Sequence, residues 1–153
     1  MPKNITWMMA ALAVALSVGG AGAQEMGRKV IATPTAPNAI GPYSQGVQAG
    51  KTVYVSGELA IDPKTNQFQA NAPIDAQTRQ VLDNIKAILA ADGLTMDQIV
   101  STTVYLTDMN EFDSMNKVYA TYFKAAPPTR ATVQVARLAR DAKIEISAIA
   151  VAP

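Results

Sequence analysis

The chain contains no cysteine and no histidine. Without thiols there is no disulfide and no thiolate nucleophile. Without imidazole as well, neither a Cys/His zinc site nor a Ser-His-Asp triad can be assembled. Acid–base chemistry falls instead to carboxylates, lysine, tyrosine, backbone groups or bound water. Charge of one sign is also lacking. Thirteen Lys+Arg against 12 Asp+Glu leave a formal net charge of +1 over 153 residues, which argues against a broad polyanion-binding surface. A chain of this length forms one domain around one core.

The unbroken apolar run from Trp7 to Leu16 falls short of the about 20 residues that a spanning helix needs. Its surroundings give it another meaning. Lys3 supplies a positive start, Ser17-Val18-Gly19-Gly20 loosens the run, and Ala21-Gly22-Ala23 places small residues where a signal peptidase reads. Residues 1–23 thus read as a cleaved secretory signal, with Gln24 as the new N-terminus and residues 24–153 as the mature domain. This predicts a periplasmic or secreted protein with no stable membrane insertion after cleavage. Losing Lys3 balances the acidic and basic side chains. An exported domain without disulfides holds together by core packing and gains from subunit contacts.

Val30–Thr33 reads as a first strand, and Pro34, Pro37, Gly41 and Pro42 shape a loop after it. Ser44–Ala49 and Thr52–Gly57 read as strands, and Asp62-Pro63-Lys64-Thr65-Asn66 as a turn. From Ile74 to Ala91, Val81, Leu82, Ile85, Ile88 and Leu89 recur at helical spacing, and Gly93 suits a left-handed end. Thr95–Gln98 resembles a capped turn. Val100–Leu106 alternates as a strand, with Val100, Thr102, Val104 and Leu106 sharing one side. A second helix starts near Asn110 as its cap, with Phe112, Met115, Val118, Tyr119 and Tyr122 as its stripe, and ends before Pro127-Pro128. Ala131–Ala136 and Lys143–Val151 are the last strands. The order predicts one mixed sheet with both helices on one face. Ile149 and Val151 give the other face an apolar character that favours homo-oligomerisation.

Arg130 follows the Pro-Pro corner and opens a strand, where its planar fork either grips a carboxylate or, as a surface arginine, pairs with a subunit neighbour. Glu145 lies inside the apolar Ile144-Glu145-Ile146, either to activate a water or as an ordinary outward strand residue. Tyr43, in Ile40-Gly41-Pro42-Tyr43-Ser44-Gln45-Gly46, is either placed at a pocket or packed in its loop. Asn116 interrupts the second helix beside its stripe, at a pocket or on the surface. At the strand end Ser56-Gly57, the glycine lets a ligand approach the backbone closely. No dinucleotide fingerprint or P-loop is present.

Together these residues resemble the RidA/YjgF family. The likeness runs through Ala39-Ile40-Gly41-Pro42-Tyr43-Ser44-Gln45-Gly46, Val55-Ser56-Gly57, Leu82-Asp83-Asn84-Ile85-Lys86, Pro128-Thr129-Arg130, Val135-Ala136-Arg137-Leu138 and the closing strand from Ile144 to Val151. It covers nearly all of the mature chain, in order. The resemblance implies a chorismate-mutase-like α+β fold, a homotrimer with intersubunit clefts, and hydrolysis of small 2-enamino/2-imino acids to 2-oxo acids and ammonia. It implies no metal and no organic cofactor. By that resemblance Arg130 grips the substrate carboxylate, Tyr43 is contributed across the subunit boundary, Ser56, Gly57 and Asn116 line the cleft, and Glu145 serves the attacking water.

The chain departs from the family pattern in three places. Thr132 stands where well-studied deaminases commonly carry cysteine, at a position whose water contact is through the backbone. The stretch before Arg130 is several residues shorter. Ser147 replaces a common second glutamate. Two other functions fit the same fold: a non-catalytic module binding small carboxylates or partner proteins, and a ribonuclease. The balanced charge and absent histidine count against the ribonuclease and against a nucleic-acid partner.

Overall fold

The computed structural model describes residues 27–153, so the secretory signal read at 1–23 lies outside the described residues. The strands are β1 (Arg28–Ile31), β2 (Gly46–Ala49), β3 (Thr52–Glu58), β4 (Ile61–Asp62), β5 (Gln67–Phe68), β6 (Ile99–Leu106), β7 (Thr129–Gln134) and β8 (Ile144–Val151). The helices are α1 (Ile74–Ala91), between β5 and β6, and α2 (Phe112–Tyr122), between β6 and β7. A six-stranded sheet runs in the order β1-β2-β3-β8-β6-β7, while β4 and β5 form a separate small hairpin. All neighbours in the large sheet are antiparallel except β6 and β7, which run parallel and are joined through α2. This is the mixed α+β sheet with helices on one face that the element order predicts.

Its core follows from periodicity. Val81, Leu82, Ile85, Ile88 and Leu89 of α1 are all fully buried against Ile144, Ile146, Ala148 and Ala150 of β8, Val53 and Val55 of β3, and Val104 and Leu106 of β6. Each such aliphatic side chain contributes about 1.5–3 kcal/mol by leaving water. Helix α1 stops where Gly93 takes φ +74°, and the Leu94 N–H returns to the Leu89 carbonyl at 3.0 Å. Thr95 and Gln98 form the reciprocal capping box that the sequence suggests. The Asp62–Asn66 turn forms as expected, with the Asn66 N–H donating to the Asp62 carbonyl at 2.8 Å. The two-residue strands flanking it carry too little alternation to be seen in sequence.

Three expectations need correction. Val100 does not join Thr102, Val104 and Leu106, because Ile99 aligns with Ala150 and Ser101 with Ile149; the intervening residue bulges out, leaving Val100 46% exposed. Helix α2 is not capped by Asn110. The Asp108 carboxylate accepts the Asn110 N–H at 2.9 Å and starts a 3₁₀ turn, Met109–Glu111, from which the helix continues. Strand β1 ends at Ile31 rather than Thr33, since the Thr33 N–H donates to Gln45 Oε1 at 2.7 Å instead of extending the ladder.

Gln45 explains how a proline-rich loop becomes a fixed wall. Its buried amide nitrogen donates to the carbonyls of Thr33 at 3.1 Å and Pro37 at 2.6 Å, fastening the loop to the start of β2. On the sheet face away from the helices, Tyr54, Val133 and Val151 are exposed and Ile149 is half-buried.

Candidate active site

The candidate residues fall on two walls. The first surrounds a cavity of about 380 Å³ that brings together Tyr43, Ser56, Gly57 and Glu145. Tyr43 follows a tight turn in which its N–H donates to the Gly41 carbonyl at 2.8 Å, and its own hydroxyl accepts the Ile40 N–H at 3.2 Å. Ser56 ties β3 to this loop: its hydroxyl donates to the Ser44 carbonyl at 2.6 Å and its N–H to the Gln45 carbonyl at 3.0 Å. Between Val55 and Glu58 the register against β8 shifts, so Ser56 and Gly57 form an irregular step opposite Ser147.

Gly57 is there for space. A Cβ at this position would overlap Glu145 Oε1 and lie 2.8 Å from its Cδ. The Glu145 carboxyl is half-buried, and burial raises its pKa above the ordinary carboxylate value. Gly57→Ala is expected to push the carboxyl aside while leaving the fold intact, because what yields is the end of a flexible side chain. The catalytic rate should fall on the order of 10²-fold. Steady-state kinetics beside thermal melting checks this; loss of both together would mean the glycine serves folding instead.

Sequence reasoning missed one member of this wall. Glu58 ends β3, is 6% exposed and lines the same cavity. Burial, reinforced by the Glu145 charge, pushes its pKa up to about 8. The signal that singled out Glu145 was present here also, in a charged residue set among Val55, Gly57, Leu59 and Ala60.

The second wall carries Arg130 and Asn116, in a depression of about 400 Å³ floored by Tyr119 and Phe123 and edged by Pro127 and Pro128. The Arg130 guanidinium lies 4.5 Å from the Tyr119 ring centre and 5.7 Å from that of Phe112. Tyr119 is itself fixed by a 2.7 Å hydrogen bond between its hydroxyl and that of Thr102. Among the described residues no carboxylate forms an ion pair with Arg130. Its flat face is therefore occupied by aromatic rings, while its fork of donors stays available for an anion. Thr132 sits two residues along β7 and lines neither cavity; its hydroxyl oxygen is buried without a hydrogen-bond partner.

One chain does not bring the two walls together. Arg130 aligns with Thr102 and Thr132 with Val104, so both side chains belong to the helix-covered face. Glu145 aligns with Tyr105, an odd number of residues from Thr102, and so belongs to the open face. The Arg130 guanidinium and the Glu145 carboxyl thus lie on opposite sides of the sheet. No group of three or more Asp or Glu among the described residues is arranged to hold a metal ion.

The family model described as endoribonuclease L-PSP matches residues 33–152. The chain belongs to the RidA/YjgF family. The 2-iminobutanoate/2-iminopropanoate deaminase of Escherichia coli K12 is 49% identical over 126 residues, covering 80% of this chain and 97% of that protein. The mouse protein of the same name is 47% identical over 124 residues, covering 81% and 91%. Among solved structures, E. coli TdcF with bound serine superposes with a TM-score of 0.78 at 46% identity, covering 82% of this chain and 99% of that one. The E. coli YjgF gene product gives 0.77 at 49% identity, covering 80% and 98%. The match begins in the loop that carries Tyr43 and ends beyond Glu145, so it spans both walls of this RidA/YjgF member.

Proposed function

We propose that this protein is an exported homotrimeric deaminase that hydrolyses small 2-enamino/2-imino acids to 2-oxo acids and ammonia. Each site is built where the Arg130 wall of one subunit meets the Glu145 wall of the next. The observation that carries this reading is the pair of complementary half-sites on opposite sheet faces. One offers an unpaired guanidinium fork, and the other a half-buried carboxylate beside a cavity. Identity near one half to deaminases of two organisms supports the chemistry. Exposed Tyr54, Val133 and Val151 on the open face support assembly.

In this site Arg130 holds the substrate carboxylate with two parallel hydrogen bonds, and Asn116 lies beside it on the same wall. An imine carbon is already electrophilic, so the protein needs chiefly to orient it and a water. Glu145, made more basic by burial, takes a proton from that water as its oxygen attacks C2. The resulting carbinolamine loses ammonia. Tyr43, Ser56 and Gly57 shape the side of the cleft that receives the remainder of the substrate.

The test is 2-oxo acid formation from imines released in situ by an amino acid oxidase, with catalase present, across small, aliphatic and aromatic precursors. It uses the processed chain beginning at Gln24, whose recovery from outside the cytoplasm checks export. The parent protein should accelerate product formation, and Arg130→Ala should lower kcat/KM on the order of 10²-fold, as expected for a lost charge-assisted pair. Uncatalysed rates with a folded oligomer would replace the deaminase with a carboxylate-binding module.

A further inference from the structure

Arg130 has a long, freely rotating stem, and no carboxylate among the described residues anchors its head. The acids that precede α2 are engaged elsewhere: Asp108 accepts the Asn110 N–H at 2.9 Å, and Glu111 pairs with Lys143 at 2.6 Å. Asp113, in the first turn of α2, lines a depression that does not include Arg130. What remains to orient the guanidinium is the pair of rings at its face, Tyr119 at 4.5 Å and Phe112 at 5.7 Å. A ring attracts a cation without hydrogen-bonding it, so the fork is only as well aimed as the ring is fixed.

Tyr119 is fixed at both ends. Its ring lies 4.5 Å from that of Phe123, tilted by 36°, and its hydroxyl shares the buried 2.7 Å hydrogen bond with Thr102. Thr102 is no distant anchor. It stands in register between Arg130 of β7 and Ala148 of β8, on the helix-covered face. The strand residue directly beside Arg130 therefore holds the ring on which the Arg130 side chain rests. Backbone pairing, hydroxyl pair and ring face close a circuit around the guanidinium. Two buried hydroxyls that satisfy only each other contribute little more to folding than an apolar pair of the same shape, so their value lies in where they hold the ring.

We propose that Thr102 and Tyr119 are positioning residues that aim Arg130, and that through it they make the site select a carboxylate over a carboxamide. The assignment rests on Arg130 as the carboxylate grip, and it holds whether the site hydrolyses its ligand or only binds it. A carboxylate meets a fixed fork with two acceptors and forms two parallel hydrogen bonds. A carboxamide offers one acceptor and sets its own N–H donors against the second arm of the fork. A guanidinium free to swing would reach a single oxygen of either group, and the distinction would shrink. Holding it in place before the ligand arrives also removes the entropy cost of ordering it on binding.

The experiment is NMR titration with 2-oxobutanoate and 2-oxobutanamide, which differ only at the group that Arg130 holds. The parent should prefer the acid. Tyr119→Leu, which removes the ring, should lower the acid-to-amide preference on the order of 10-fold. Thr102→Val combined with Tyr119→Phe keeps the ring and removes both hydroxyls, leaving neither unpaired; it should lower the preference about 3-fold at a thermal midpoint near the parent's. A purely structural role would weaken both ligands alike, and an unchanged ratio in these variants overturns the assignment while leaving the grip standing. A parent without preference for the acid removes the grip and the assignment with it. If Tyr119→Leu fails to fold, the double variant decides by the same ratio.

Discussion

Arg130→Ala and Glu145→Gln, each strongly impaired alone, are expected to recover about a quarter of parent activity when unfolded together in equal amounts and refolded as mixed oligomers. The arithmetic follows from the faces of the sheet. In the proposed assembly each cleft draws its guanidinium wall from one subunit and its carboxylate wall from a neighbour. In an equal mixture half of each kind of wall is intact, and the two choices are independent. If both walls came from the same chain, every site would still carry one of the two substitutions and nothing would be recovered. Refolding each variant separately and then combining them gives the control, because recovery then requires subunit exchange. Mixed oligomers confirmed by mass spectrometry but lacking activity would sink the shared cleft.

The second large effect is on stability. Glu58 has its folded pKa raised to about 8 by burial and by Glu145, against an ordinary value of 4.5. The folded state therefore binds a proton more tightly than the unfolded chain. The resulting stabilisation is complete below the unfolded pKa and is lost as pH rises through the folded one. Over that window the loss amounts to on the order of 5 kcal/mol at most, a large part of a small domain's total. Urea unfolding near about pH 5 and about pH 9, at one fixed protein concentration, should show the parent far weaker at the higher pH. Glu58→Gln should remove most of that difference. Glu145, shifted in the same direction by burial, leaves a residual slope in the variant. Parallel pH dependences in parent and variant would show that Glu58 ionises as an ordinary carboxyl.

Parity within a strand was legible in the sequence, and relations between strands were not. Ile144, Ile146, Ala148 and Ala150 announce their shared face through alternation alone, and they are buried as expected. Whether Arg130 shares a face with Glu145 depends on which residue of β6 each one aligns with, and that register joins segments far apart in the chain. Val100 shows the same limit: its alternation is sound, and one bulged residue overrides it. Asp108 took the capping role given to Asn110 because both residue types cap well and only backbone geometry chooses between them. Glu58 was readable in principle. It went unnoticed because a charge at a strand end is usually solvated, whereas its alignment with Ile146 turns it to the buried face of the sheet.

On the proposed reading, the division of the site between two faces ties catalysis to assembly. A lone chain holds its guanidinium and its carboxylate on opposite faces of the sheet, and so on that reading completes no site before it meets a second subunit. Dilution has the same consequence. Once subunits separate, catalysis stops even where each fold survives, so turnover reports local abundance as well as substrate supply.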